Sequence, residues 1–142
     1  MSEISKNEAI ARARSLLKLG AQTLARVWRV RRVDRPNEAY YLIVFGEPQA
    51  SIGVVAVDIT SGEVMIWAPL PGTRPHLSID SETAVQIAAF PSKTHAELVW
   101  KSCRGSHSPL YPLWEISAEK MTVYVDQQGI VWQTLESSGS GG

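Results

Sequence analysis

Cys103, His95 and His107 are the residues that could pair a thiol nucleophile with a general base in this chain. A cysteine attacks as its thiolate, and an imidazole within hydrogen-bond reach can take the proton. All three fall in one loop-like stretch, "SKTHAELVWKSCRGSHSPLYP" (92–112). No cysteine-protease signature surrounds Cys103, and the competing reading is a small inert apolar residue. His76, His95 and His107 raise a second chemistry, metal ligation. Their spacings fit no helical i, i+4 pair and no zinc pattern, so no metal and no cofactor are expected. One cysteine also excludes an internal disulfide.

Arginines concentrate in "RVWRVRRVDR" (Arg26, Arg29, Arg31, Arg32 and Arg35, around Trp28), a pattern that can serve as an oligonucleotide platform. Strand alternation sends Arg26 and Arg32 to one face and Arg29 and Arg31 to the other, which breaks the platform. The 14 Lys and Arg are cancelled by 14 Asp and Glu, so nucleic acid is not the expected partner. Inward charge near a sheet margin also guards against edge-to-edge pairing. Five tryptophans are many for 142 residues. Trp67 and Trp132 take comparable places after two similar hairpins, which predicts a shared packing role. Trp100 and Trp114 lie in the irregular half and are the candidates for a partner surface, with Tyr111, Arg29 and Arg31.

The elements that must position these residues come in matched sets. In "ISKNEAIARARSLLKLG", Ser5 and Glu8 read as a capping box, Ile4 and Ala9 as a hydrophobic staple, and Ala9, Ile10, Ala13 and Leu17 as an apolar stripe before a stop at Gly20. In "IDSETAVQIAAFPS" the same roles fall 75 residues later to Asp80 as cap, Ile79 and Ala84 as staple, and Val85 and Ala88 as stripe, with Pro91 ending the helix. Strand-like segments follow each helix: "TLARVWRVRRV", "AYYLIVF", "SIGVVAVD" and "EVMIWAPL", then "AELVWKSC", "LYPLWEI", "MTVYVD" and "IVWQTL". The Pro- and Gly-dense "PLPGTRP" (69–75) connects the halves. In each half a Val-Asp strand end leads through a polar loop to glycine, Asp58 to Gly62 and Asp126 to Gly129. Glycine supplies a positive φ and aspartate can accept from loop N–H groups that have no ladder partner. Val55 and Val57 share one face and Val54 and Ala56 the other, so this strand is expected to be covered on one side and at least partly screened on the other.

The predicted fold class is α+β: two related units, each one helix followed by a three- or four-stranded antiparallel meander. The units span 1–72 and 73–136, and "SSGSGG" (137–142) reads as a disordered tail or linker. "MSEISKNEAIARARSLL" has no apolar signal core and no window approaches a membrane span, which predicts a cytoplasmic chain as given, or an envelope or secreted one if a leader is removed.

These units resemble PepSY-type repeats, in which one helix precedes a small antiparallel sheet and the last hairpin carries V-x-V-D-x-x-x-G-x-V. The matching text is "VYVDQQGIVW" (123–132) and, one loop residue longer, "VAVDITSGEVMIW" (55–67); "LSIDSETAVQIAA" fits the helix onset and "PLWEI" a middle strand. The resemblance covers roughly 4–68 and 78–135 and implies a non-catalytic module that binds peptides or restrains peptidases. The expected function is therefore non-enzymatic protein or peptide binding, at a strand edge or in a groove between helix and sheet. Two alternatives stand beside it: a small cytosolic immunity- or inhibitor-like protein that plugs a partner with its 91–112 loop, and a thiol enzyme using Cys103.

Overall fold

Short polar side chains begin both helices. The structure, a computed structural model, describes residues 3–90 and 93–136. Ser5 Oγ accepts the Glu8 N–H at 3.0 Å and α1 runs Lys6–Leu16; Asp80 Oδ1 accepts the Thr83 N–H at 2.8 Å and α2 runs Ser81–Ala88. The capping box at Ser5 is only half made. Glu8 Oε2 turns to Arg12 at 3.3 Å instead, because i, i+4 spacing sets an opposite charge within its reach. Gly20 is not the stop of α1 either. Lys18 takes the left-handed conformation (φ 55°), and the Lys18 and Leu19 N–H groups close on Ser15 and Arg14 carbonyls at 3.1 and 3.0 Å. The last turn is thus sealed before glycine is reached. In α2 the left-handed residue is Ala89 (φ 56°); Pro91, the expected terminator, and the 137–142 tail lie outside the described residues.

The Thr83 N–H, and next the Thr83 hydroxyl, hold the Asp80 carboxyl below its ordinary value. A lowered native pKa means that the cap's contribution is complete above the unfolded value of about 3.9 and is lost as pH falls through the native value. Asp80→Ser keeps a capping oxygen without the titration. Acid unfolding followed by circular dichroism should therefore show wild type losing more stability than Asp80→Ser below about pH 4.

Among the described residues the fold is α+β, with two helices and eight strands in antiparallel pairings. The chain divides into two compact units. The first comprises Met1–Arg31 and Arg35–His76. It contains α1 and strands β1 (Ala25–Arg32, all but its last residue), β2 (Ala39–Glu47), β3 (Ala50–Asp58) and β4 (Val64–Pro69), paired in the order β4-β3-β2-β1. Ala9 and Ala13 are fully buried and bring α1 close to Tyr41, Ile43, Phe45, Val55 and Val57. Each large side chain so covered contributes about 1.5–3 kcal/mol. The opposite rows, Tyr40, Leu42, Val44, Val54 and Ala56, are equally buried, in keeping with the doubly apolar text of β2 and β3. The α1 entry is clipped to the sheet: Ile4 N–H donates to the Ile59 carbonyl at 3.0 Å, and Tyr41 Oη donates to the Ile4 carbonyl at 3.4 Å. Asp58 Oδ2 accepts Ser61 N–H and Oγ–H at 2.9 and 2.7 Å, and Gly62 has φ 74°.

The 69–75 connector is not a loose linker. Leu70 and Gly72 donate to Ile52 and Ser51 carbonyls, both at 2.9 Å, and Ser51 N–H donates to the Arg74 carbonyl at 3.0 Å. Backbone groups at the start of β3 need partners, and the connector supplies them, so the first unit runs on to His76 rather than ending at residue 72.

The second unit comprises Arg32–Asp34 and Leu77–Gly142. It holds α2 and strands β5 (His95–Trp100), β6 (Leu113–Ala118), β7 (Met121–Val125) and β8 (Val131–Trp132), in the order β5-β6-β7-β8. Leu98, Trp114 and Val125 face one another across three strands, as do Ala96, Ile116 and Val123. Helix α2 packs on β5, β6 and β7 through buried Ala84. Its entry is clipped too: Ile79 N–H donates to Gln127 Oε1 at 3.1 Å, and Trp114 Nε1 donates to the Ile79 carbonyl at 2.7 Å.

Candidate functional site

Both tryptophans expected at a partner surface are buried. Trp100 is 7% exposed, donates Nε1–H to Ser106 Oγ at 3.1 Å, and carries the Arg32 guanidinium 5.3 Å from its ring centroid. Trp114 is 8% exposed and spends its N–H on the Ile79 carbonyl. Apolar area buried inside the unit outweighs an exposed indole, and each N–H found a partner there. Tyr111 is exposed. Arg29 is exposed opposite Tyr41 and pairs with Glu3 at 3.4 Å, while Arg31, opposite Ala39, is half-buried. Arg26 lies 5.1 Å from the Trp28 ring centroid, so that indole is already covered in part by a neighbouring guanidinium.

The thiol chemistry fails on access. Cys103 is fully buried and its backbone exchanges hydrogen bonds with Ser106 at 2.9 and 3.1 Å, whereas His95 and His107 are exposed. A nucleophile that no substrate can reach cannot attack. Among the described residues no three His, Cys, Asp or Glu side chains gather as a metal site.

The 91–112 stretch does not project as a plug over its described part. Residues 95–100 form β5, and Cys103, Ser106, Leu110 and Pro112 are buried. Ser106 Oγ is the knot: it accepts from Trp100 and lies 2.6 Å from the Tyr111 carbonyl and 3.0 Å from that of Ser108. The bond it accepts from Trp100 and the single proton it donates, to the nearer Tyr111 carbonyl, hold the loop down.

Among the described residues, an uncharged strand and a recess stand out at the surface. The first is β4, the terminal strand of its sheet order. It reads Val-Met-Ile-Trp-Ala-Pro, without a charge, and leaves Ile66 39% and Trp67 46% exposed. Leu70 N–H bonds to Ile52, so the backbones of Ala68 and Ile66 also face β3, and by alternation those of Trp67 and Pro69 point away from it. Edge strands are ordinarily guarded by charge; here the guard is Pro69, which has no N–H to offer. Trp67 and Trp132 are not register equivalents. A bulge between Ala56 and Val57 sets Trp67 opposite Val55, whereas Trp132 lies opposite Tyr124. Trp67 is 46% exposed on the terminal strand, while Trp132 Nε1 donates to Asp126 Oδ2 at 2.8 Å.

The second feature is a recess of about 560 Å³ in the second unit, between the 104–111 segment and the β7–β8 loop. Asp126 at its base is 4% exposed and its oxygens accept from Gln128 N–H (2.9 Å), Ile130 N–H (3.0 Å) and the Trp132 indole. A carboxylate so engaged is a structural acceptor.

No family model, curated protein or solved structure matches this chain.

Proposed function

We propose that the chain is a non-enzymatic protein- or peptide-binding module made of two PepSY-like units, and that it captures an extended segment of its partner along β4. The carrying observation is the edge itself: a six-residue terminal strand without charge, bearing exposed Ile66 and Trp67. An added strand gains main-chain hydrogen bonds from Trp67 and apolar cover from its indole, the logic of β-strand addition. Restraint of a partner enzyme would follow if the captured segment flanked that enzyme's active site.

The kinship of the two units draws support from contacts beyond the cap chemistry. Tyr41 sits opposite Val57 and Trp114 opposite Val125, each valine being the residue before a hairpin aspartate. Each aromatic donates to the carbonyl of the residue before its own helix cap, Ile4 or Ile79. Each of those isoleucines donates its N–H to the residue after the hairpin aspartate, Ile59 or Gln127. A duplicated unit would retain such a linked set of helix entry, middle-strand aromatic and loop.

The test is selection of a displayed random-peptide library on the intact chain. Recovered peptides should alternate apolar residues, should raise hydrogen-exchange protection at the Trp67 amide, and should lose at least about tenfold in affinity against Trp67→Lys. Peptides that bind Trp67→Lys as well as wild type, or that leave the Trp67 amide unprotected, refute edge capture.

A further inference from the structure

We propose that the recess beside Asp126 binds a small amphipathic carboxylate, an aromatic or branched apolar group joined closely to a carboxylate, as found at the free end of a peptide or in an arylalkanoic acid. The site lies within the second unit and does not involve β4, so it stands apart from edge capture.

Its volume, about 560 Å³, falls among pockets that enclose small ligands, commonly about 300–1,000 Å³. The apolar wall is built in advance. The Trp132 indole is held at its N–H by buried Asp126 and is approached so closely by Gly105 that a Cβ there would stand 2.8 Å from Nε1. Glycine at 105 is thus the condition for this ring position, and a ring fixed before binding loses little freedom when a ligand packs on it. Tyr111 and Ile130, 45% and 48% exposed, complete an apolar lining.

Charge decides the polar end of the ligand. Asp126 is the carboxylate among the lining residues, and it is 4% exposed with three N–H groups on its oxygens, so little of its acceptor capacity is left for a ligand. The other titrating side chains of the lining, apart from the Tyr111 phenol, are the Arg104 guanidinium and the His107 imidazole, both exposed. Arg104 already meets a carboxylate: Glu136 Oε2 lies 3.6 Å from Nη1, with both side chains about two-thirds exposed. So long and exposed a pair is weak, and a ligand carboxylate anchored by apolar contact can replace it with a charge-assisted hydrogen bond. The chain's own Glu136 marks where that carboxylate would go.

The probes are N-acetyl-phenylalanine and its amide, with a five-residue peptide ending in phenylalanine, free or amidated, followed by the Trp132 indole N–H resonance of the intact 15N-labelled chain. The acid should shift that resonance saturably, and the amide should bind at least about tenfold more weakly. Arg104→Gln should bring the acid down to the amide's affinity with an otherwise unchanged spectrum, and Glu136→Gln should tighten the acid by roughly two- to threefold. If the peptide acid binds tighter than the acetylated residue, a chain terminus is the source; if it binds no better, a free small acid is. Equal binding of acid and amide, retention of the preference in Arg104→Gln, or no saturable shift up to about 10 mM overturns the proposal.

Discussion

Asp126→Ala should lower the unfolding free energy by about 3 kcal/mol, the larger part coming from donors left without acceptors. Three N–H groups, from Gln128, Ile130 and the Trp132 indole, end on this one buried carboxylate. The two backbone donors belong to a loop that water can partly re-enter, so the loss is smaller than three full unsatisfied groups would give. Asp126→Asn discriminates further. One amide oxygen can keep the Gln128 and Ile130 bonds, but the amide NH2 then faces the indole N–H, donor against donor. It should fall between alanine and wild type, with loss of the fluorescence signature of a hydrogen-bonded Trp132. Asp58, at the matching place of the first hairpin, accepts from exposed Ser61, and its replacement by alanine should cost only about 1 kcal/mol. Urea unfolding of the three variants measures the contrast; equal costs at 58 and 126 would mean that burial is not what makes Asp126 matter.

Gly46→Val should be as damaging, at about 3 kcal/mol or more. Gly46 has φ 113°, outside the range that side chains tolerate, and its added Cβ would stand 2.6 Å from the Ala50 carbonyl oxygen and 3.0 Å from the Ile52 nitrogen. Both are backbone atoms of β3 at the point where the β2–β3 register shifts, so relief requires parting the strands. Gly72→Ala is the control. Gly72 has φ 76°, and its Cβ would meet only the Ile52 Cγ2 methyl at 3.3 Å, which can give way; about 1 kcal/mol is expected. Thermal melts of the pair separate backbone collision from simple left-handed strain.

Much of the frame was legible because its signals are local. Ser5 and Asp80 are caps, the Asp58 and Asp126 loops close at glycines with φ 74° and 83°, and every predicted strand segment contains a strand. The errors have two causes. Gly20 lost its role to Lys18, and Glu8 left its cap for Arg12, because alternatives a few residues away satisfied the same groups. Trp100 and Trp114 looked like surface candidates since they lie in irregular text, yet indole area is worth most when buried. The exposed tryptophan is Trp67, and the clue was present: six uncharged residues closing a meander, with a hairpin loop one residue longer than its counterpart.

Residue order alone determined what neighbouring atoms settle: where helices start, which stretches extend, and that aspartate and glycine bracket both hairpin loops. Tertiary structure alone decided which indoles are covered, that Cys103 is buried, that the strand bearing Trp67 ends its sheet order with Trp67 opposite Val55 rather than in the register of Trp132, and that Gly105 lies against Trp132. Turn and cap chemistry acts over a few residues and is written in sequence, whereas burial depends on what packs across strands far apart in the chain.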